Sequence, residues 1–96
     1  MVKVNVRFLG SLISLTGKDT LTLDLNVQHT IFDCIQLLSK MYGEKFERTT
    51  MYYGSNVPKK RVLILKNNVE IGVLEGLDTK LNDGDTIVLV PISHGG

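Results

Sequence analysis

The sequence predicts an α+β domain in which a small mixed sheet carries one main helix on one face. Three observations support that expectation. Two runs within the first 27 residues alternate apolar and polar side chains with the period of a strand. Residues 31–42 instead place their apolar side chains at helical spacing. Clusters of Gly, Asn, Asp and Thr punctuate the intervals between these stretches. The resulting order is β-β-α-β-β-β, and one helix can cover one face of such a sheet.

Val2, Val4, Val6 and Phe8 alternate with Lys3, Asn5 and Arg7, as in a half-buried strand. Leu9 to Leu15 reads as a loop with room for one helical turn, and Thr16-Gly17-Lys18-Asp19 as a turn. Leu21, Leu23, Leu25 and Val27 then alternate with Thr22, Asp24 and Asn26. This second strand should pair antiparallel with the first, because a short connection favours a spatial neighbour.

Thr30 is placed to cap a helix, its hydroxyl accepting an orphan backbone N–H, with Asp33 in the first turn where negative charge is favoured. Ile31, Cys34, Ile35, Leu38, Met41 and Tyr42 form one apolar stripe, and Gly43 is placed to close the helix in the left-handed conformation. The helix is expected over about 31–42. From Glu44 to Arg61 the periodicity is lost. Phe46, Met51, Tyr52 and Tyr53 are scattered among charges, and Gly54-Ser55-Asn56 and Pro58 are turn formers. A long irregular connection with at most one helical turn is expected there.

Val62 to Leu65 is a continuous apolar run suited to a central strand. Asn67-Asn68 suits a hairpin turn, since Asn tolerates positive φ, and Val69-Glu70-Ile71 would be the return strand. Asn82-Asp83-Gly84-Asp85 is a second turn before a last strand, Thr86 to Val90. If the first and last strands are neighbours, they run parallel in the centre of the sheet.

Bulk properties narrow the function. The 96 residues suffice for one domain, and a net charge of +1 with well-mixed signs gives no reason to expect a nucleic acid or an anionic membrane as partner. No apolar run approaches the ~20 residues of a membrane span. A strand pattern starts at Met1-Val2-Lys3-Val4, so no leader is expected. The lone Cys34 cannot form an internal disulfide, which fits a reducing cytoplasm. On the helical stripe it reads as a small buried hydrophobe rather than a nucleophile. His29 and His94 are far apart with one cysteine between them, so no metal-ligand set is expected. Lys59-Lys60-Arg61 reads as a solvated loop before an anion or partner site. Asp83 and Asp85 read as turn chemistry rather than an acid/base pair. No catalytic machinery is expected in the chain itself.

The terminus is the unusual feature. Pro91 has no N–H to donate and should end the last strand, leaving Ser93-His94-Gly95-Gly96 as a tail. Two readings fit a terminal glycine pair: a frayed end, or a thin strip of backbone that carries a free carboxylate into a narrow channel.

The strand order, the Leu81-Asn82-Asp83-Gly84-Asp85 turn, the apolar last strand and the terminal Gly95-Gly96 together resemble the β-grasp, ubiquitin-like sulfur carriers and modifiers. That family includes the molybdopterin synthase small subunit, the thiazole sulfur carrier, the ubiquitin-related modifier and the archaeal small modifiers. Phe8-Leu9-Gly10-Ser11-Leu12 through Leu15-Thr16-Gly17 is similar to the start of the molybdopterin synthase subunit, while Ser93-His94-Gly95-Gly96 is similar to the end of the ubiquitin-related modifier. Residues 44–61 are longer than in the molybdopterin synthase type.

The resemblance implies a β-grasp domain over 1–92 and a flexible tail over 93–96. It implies that an E1-like enzyme, using ATP and magnesium, adenylates the carboxylate of Gly96. The acyl group then becomes a thiocarboxylate or is joined to target lysines. Implied partners are that enzyme, sulfur donors or acceptors, target lysines and, in one variant, the molybdopterin synthase large subunit. The competing class is a non-covalent β-grasp binding module whose glycines are incidental. By the same resemblance Ile87 and Leu89 belong in the core, and Val88, Val90 and Ile92 face the side left open by the helix. A contiguous apolar row there would be a docking surface, unless residues 44–61 or a second copy cover it.

Overall fold

Alternation in the first strand survives in three dimensions, with Val4, Val6 and Phe8 buried and Lys3, Asn5 and Arg7 exposed along β1 (Val2–Phe8). The computed structural model describes residues 2–26, 29–50 and 62–92. The chain continues through α1 (Ser11–Thr16), β2 (Thr20–Leu25), α2 (Ile31–Tyr42), α3 (Glu44–Thr50), β3 (Val62–Lys66) and β4 (Val69–Glu70), then two short 3₁₀ turns, to β5 (Thr86–Pro91). The sheet order is β2-β1-β5-β3-β4. β1 pairs antiparallel with β2 and parallel with β5, so the first and last strands do meet in the centre. Val27, expected in the second strand, lies outside the described residues.

Thr30 and Asp33 form a full capping box. The Asp33 N–H donates to the Thr30 hydroxyl at 3.2 Å, and the Thr30 N–H donates to the Asp33 carboxylate at 3.0 Å. Ile31, Cys34, Ile35 and Leu38 share one core with Val4, Val6, Leu23 and Ile64. Met41 departs from the expected stripe and is 48% exposed. At 3.6 residues per turn it lies about 80° from the stripe's centre. Tyr42, closer to that centre, packs edge-on against Phe8 at 5.9 Å between ring centroids.

Three further expectations are corrected. Gly43 has positive φ, +89°, but its ψ of −169° lies outside the left-handed helical region. It ends α2 through an N–H bond to the Ser39 carbonyl and starts α3 by accepting from the Glu47 N–H. Residues 44–50 are thus a helix of about two turns, not irregular chain. Phe46 anchors it, fully buried and packed against Phe8 and Tyr42 at 6.2 and 5.7 Å. The loop expected over Leu9 to Leu15 is likewise mostly α1, with Leu12 buried.

Asn67 and Asn68 both have positive φ, +49° and +71°, giving the two-residue hairpin between β3 and β4. The return strand is shorter than expected, because Ile71 leaves it for a 3₁₀ turn that Glu70 caps through the Gly72 N–H.

Candidate functional site

β5, the strand before the terminal residues, is held from both sides and at its start. Its partners are β1 from Asn5↔Thr86 to Phe8↔Leu89 and β3 from Val62↔Pro91 to Lys66↔Ile87. Ile87 and Leu89 are fully buried in the core, as expected. Pro91 is the last residue in the ladder, and Ile92 is the last described residue, 36% exposed. Ser93, His94, Gly95 and Gly96 lie outside the described residues, as do Met51 to Arg61 with Pro58 and the basic run.

The turn before β5 ties it to the start of the chain. The Lys3 N–H donates to the Asp83 carboxylate at 2.8 Å, and the Gly84 N–H donates to the Lys3 carbonyl at 2.7 Å. Gly84 adopts φ +87°, which an L side chain would resist. Asp85, 8% exposed, accepts from the Asn82 N–H at 2.7 Å and the Asn67 amide at 2.9 Å, with the Lys66 ammonium at 3.5 Å. Burial pushes the Asp85 carboxyl up, but those donors and the Lys66 charge outweigh it and hold the group below the usual carboxylate range. Asn67 also accepts from the Thr86 N–H, so one side-chain network joins the hairpin turn to the first residue of β5. Asp83 and Asp85 are turn and anchor groups, as their spacing suggested.

The face opposite the helices differs from the exposed row expected there. Val88 is absent from the core cluster yet only 8% exposed. It pairs with Arg7 on one side and Leu65 on the other, so flanking side chains on that face limit its access to water. Val90 is half-buried, paired with Leu63. The apolar strip is therefore Leu63, Leu65, Val88 and Val90, bordered on the β1 side by Arg7. Leu63 and Leu65 flank the buried Ile64 and so lie on this face by alternation, while the β3–β5 register is what pairs them with Val90 and Val88.

Cys34 is 1% exposed, and burial, aided by the Asp33 charge, pushes its thiol up to about 12. Among the described residues no group of His, Cys, Asp or Glu could hold a metal ion. No helix among them is long and apolar enough to cross a membrane.

A family model described as the ThiS family matches residues 6–96. Among solved structures, Urm1 from Trypanosoma brucei is 28% identical, covers 98% of this chain and 95% of its own, and superposes with a TM-score of 0.82. Small archaeal modifier protein 1 (SAMP1) from Methanosarcina acetivorans is 27% identical, covering 100% and 98%, with a TM-score of 0.80. The HVO 2177 protein of Haloferax volcanii, at 24% identity with 99% and 87% covered and a TM-score of 0.84, shares the fold. A comparison with curated proteins gave no match.

Proposed function

The chain belongs to the ThiS family of β-grasp, ubiquitin-like proteins, and from that membership we propose that it is a sulfur carrier or protein modifier activated at Gly96. The observation that carries this reading is the reach of the family match, which runs through the whole tail to residue 96. The architecture suits it. β5 is locked in the centre of the sheet, and its ladder ends at Pro91, so five residues follow the last paired one.

A carboxylate is a poor electrophile because its leaving group would be oxide. An E1-like enzyme, holding ATP and magnesium, overcomes this: the Gly96 carboxylate attacks the α-phosphorus and displaces pyrophosphate. In the resulting acyl-adenylate the leaving group is AMP, and the enzyme's preorganised donors stabilise the charge that develops on the acyl oxygen. Attack by a hydrosulfide equivalent expels AMP and leaves a thiocarboxylate. Attack by a lysine amine, with loss of a proton, leaves an isopeptide bond. In both outcomes this chain is the substrate of its partner rather than a catalyst. The similar protein from Methanosarcina acetivorans is named a small archaeal modifier, in keeping with that role.

Intact mass spectrometry tests the reading after incubation with the E1-like enzyme of the source organism, ATP, magnesium and a sulfur donor. Replacement of one oxygen by sulfur identifies a carrier. Branched peptides ending in Gly-Gly on target lysines, found after adding cell extract, identify a modifier. A chain unchanged in both arms would be a non-covalent binding module instead.

A further inference from the structure

We propose that residues 69–79 form a rigid docking knob, apolar at its tip and acidic at its rim, that seats in an apolar socket lined with Lys or Arg on the activating enzyme. The partner named here follows from the proposed function, while the chemistry of the contact is read from the knob. Six large apolar side chains are exposed among the described residues, and three of them fall in this stretch: Val69, Val73 and Leu74, with Val73 76% exposed. Single apolar residues on a surface carry no meaning, but a cluster marks a contact surface. The stretch also has one sign of charge. It holds Glu70, Glu75 and Asp78 and no Lys, Arg or His, in a chain whose net charge is +1. Glu75 and Asp78 are exposed, and none of the three acids is ion-paired among the described residues.

The backbone beneath these side chains is fixed. It is built from the two 3₁₀ turns, Ile71–Val73 and Gly76–Asp78. Ile71 is buried and Leu77 packs on the core, so both turns are held from below. The Leu74 N–H donates to the Ile71 carbonyl at 2.9 Å, and the Asp78 N–H to the Glu75 carbonyl at 3.1 Å. Thr79, buried, closes the stretch. Its hydroxyl accepts from the Glu75 N–H at 3.0 Å, and its carbonyl accepts from the Ile31 N–H at 2.9 Å, where α2 starts. Val73 and Leu74 thus stand on backbone that needs little further ordering on binding, which favours them as anchors. Charge of one sign selects a basic partner surface, steers the encounter and repels acidic surfaces. A partner reads identity from side chains, and Gly95 and Gly96 have none, so recognition must use the folded domain.

Calorimetry with the E1-like enzyme of the source organism measures Kd, and ATP–pyrophosphate exchange measures activation separately. Val73→Ser/Leu74→Ser should weaken binding about tenfold or more. Its melting temperature should stay within about 4 °C of the wild type, because both side chains are exposed. Met41→Ser, at an exposed apolar site on α2, should match the wild type in both measurements. Glu75→Lys should weaken binding more than Glu75→Gln does. Raising NaCl from ~0.05 M to ~0.5 M should weaken wild-type binding, and weaken that of Glu75→Gln/Asp78→Asn less. An unchanged Kd for Val73→Ser/Leu74→Ser, an equal loss in Met41→Ser, a Kd indifferent to salt, or a wild type that does not bind the enzyme would overturn the knob. So would a wild-type dimer in sedimentation equilibrium that Val73→Ser/Leu74→Ser splits, since a second copy would then cover the tip. Knob-dependent binding without exchange would leave the docking intact and count against activation at Gly96 instead.

Discussion

Asp85 shows how much one side chain can stabilise at the root of the functional strand. Its carboxylate ties together Asn82, Asn67 and Lys66 while almost out of water. Hydrogen bonds to charged groups contribute about 1.5–3 kcal/mol, so Asp85→Ala should cost on that order at pH 7. The sign with pH follows from the lowered folded-state pKa. The stabilisation is fully present above the unfolded value of ~3.9 and is lost as pH falls through the lower folded value. Denaturant melts from pH 7 down to pH 3 should therefore show the gap between wild type and Asp85→Ala narrowing at the acid end. A gap that widens toward acid would contradict the network. Cys34 offers a second probe at the same scale. Buried, with its thiol pushed up to about 12, it should react with a disulfide reagent at pH 8 only as fast as the protein opens. Rapid labelling of the native protein would show that the core is not as described.

Among the elements, α2 was legible in the sequence and α3 was not, for a physical reason. The Thr30 cap, the Asp33 charge and a stripe of Ile31, Cys34, Ile35 and Leu38 are local signals that agree with one another. In α3 only Phe46 is a large apolar residue, so there is no stripe to read. What holds it is tertiary, a cluster of Phe8, Tyr42 and Phe46 that a linear pattern cannot display. Phe46→Ala should thus cost about 3–5 kcal/mol, more than loop truncation would. Leu38→Ala should cost about 2–5 kcal/mol and Thr30→Ala about 1 kcal/mol. If chemical denaturation ranks Thr30→Ala above Leu38→Ala, the helix is misplaced. The buried Val88 was hidden in the same way: the family resemblance assigns it to the open face, but only the pairing with Arg7 and Leu65 shows it enclosed. Val88→Asp should therefore destabilise the fold itself. Val90→Asp, at a half-buried position, is the better probe of docking and should raise KM for the activating enzyme with little change in melting.

At the scale of the whole molecule, the proposed function assigns stability to the sheet and its core and chemistry to Gly96. The core gathers residues from Val4 to Leu89 around a sheet whose central pair comes from the two ends of the chain. The antiparallel pairing of the first two strands and the turn role of Asp83 and Asp85 were readable from alternation and turn residues, whereas the sheet order is a property of the folded chain. The role proposed for the tail rests on its composition and on the family, since nothing in Ser93 to Gly96 makes a folding signal.

Deleting Gly96 tests that separation most directly, with melting and ATP–pyrophosphate exchange measured on the same preparation. Stability should stay within about 0.5 kcal/mol of the wild type, as for surface changes. Exchange should be lost, because the carboxylate would fall about 3.3–3.6 Å short, beyond the ~1 Å that already costs about 10²-fold. Wild-type exchange by the shortened chain would contradict the assignment of Gly96 as the activated residue.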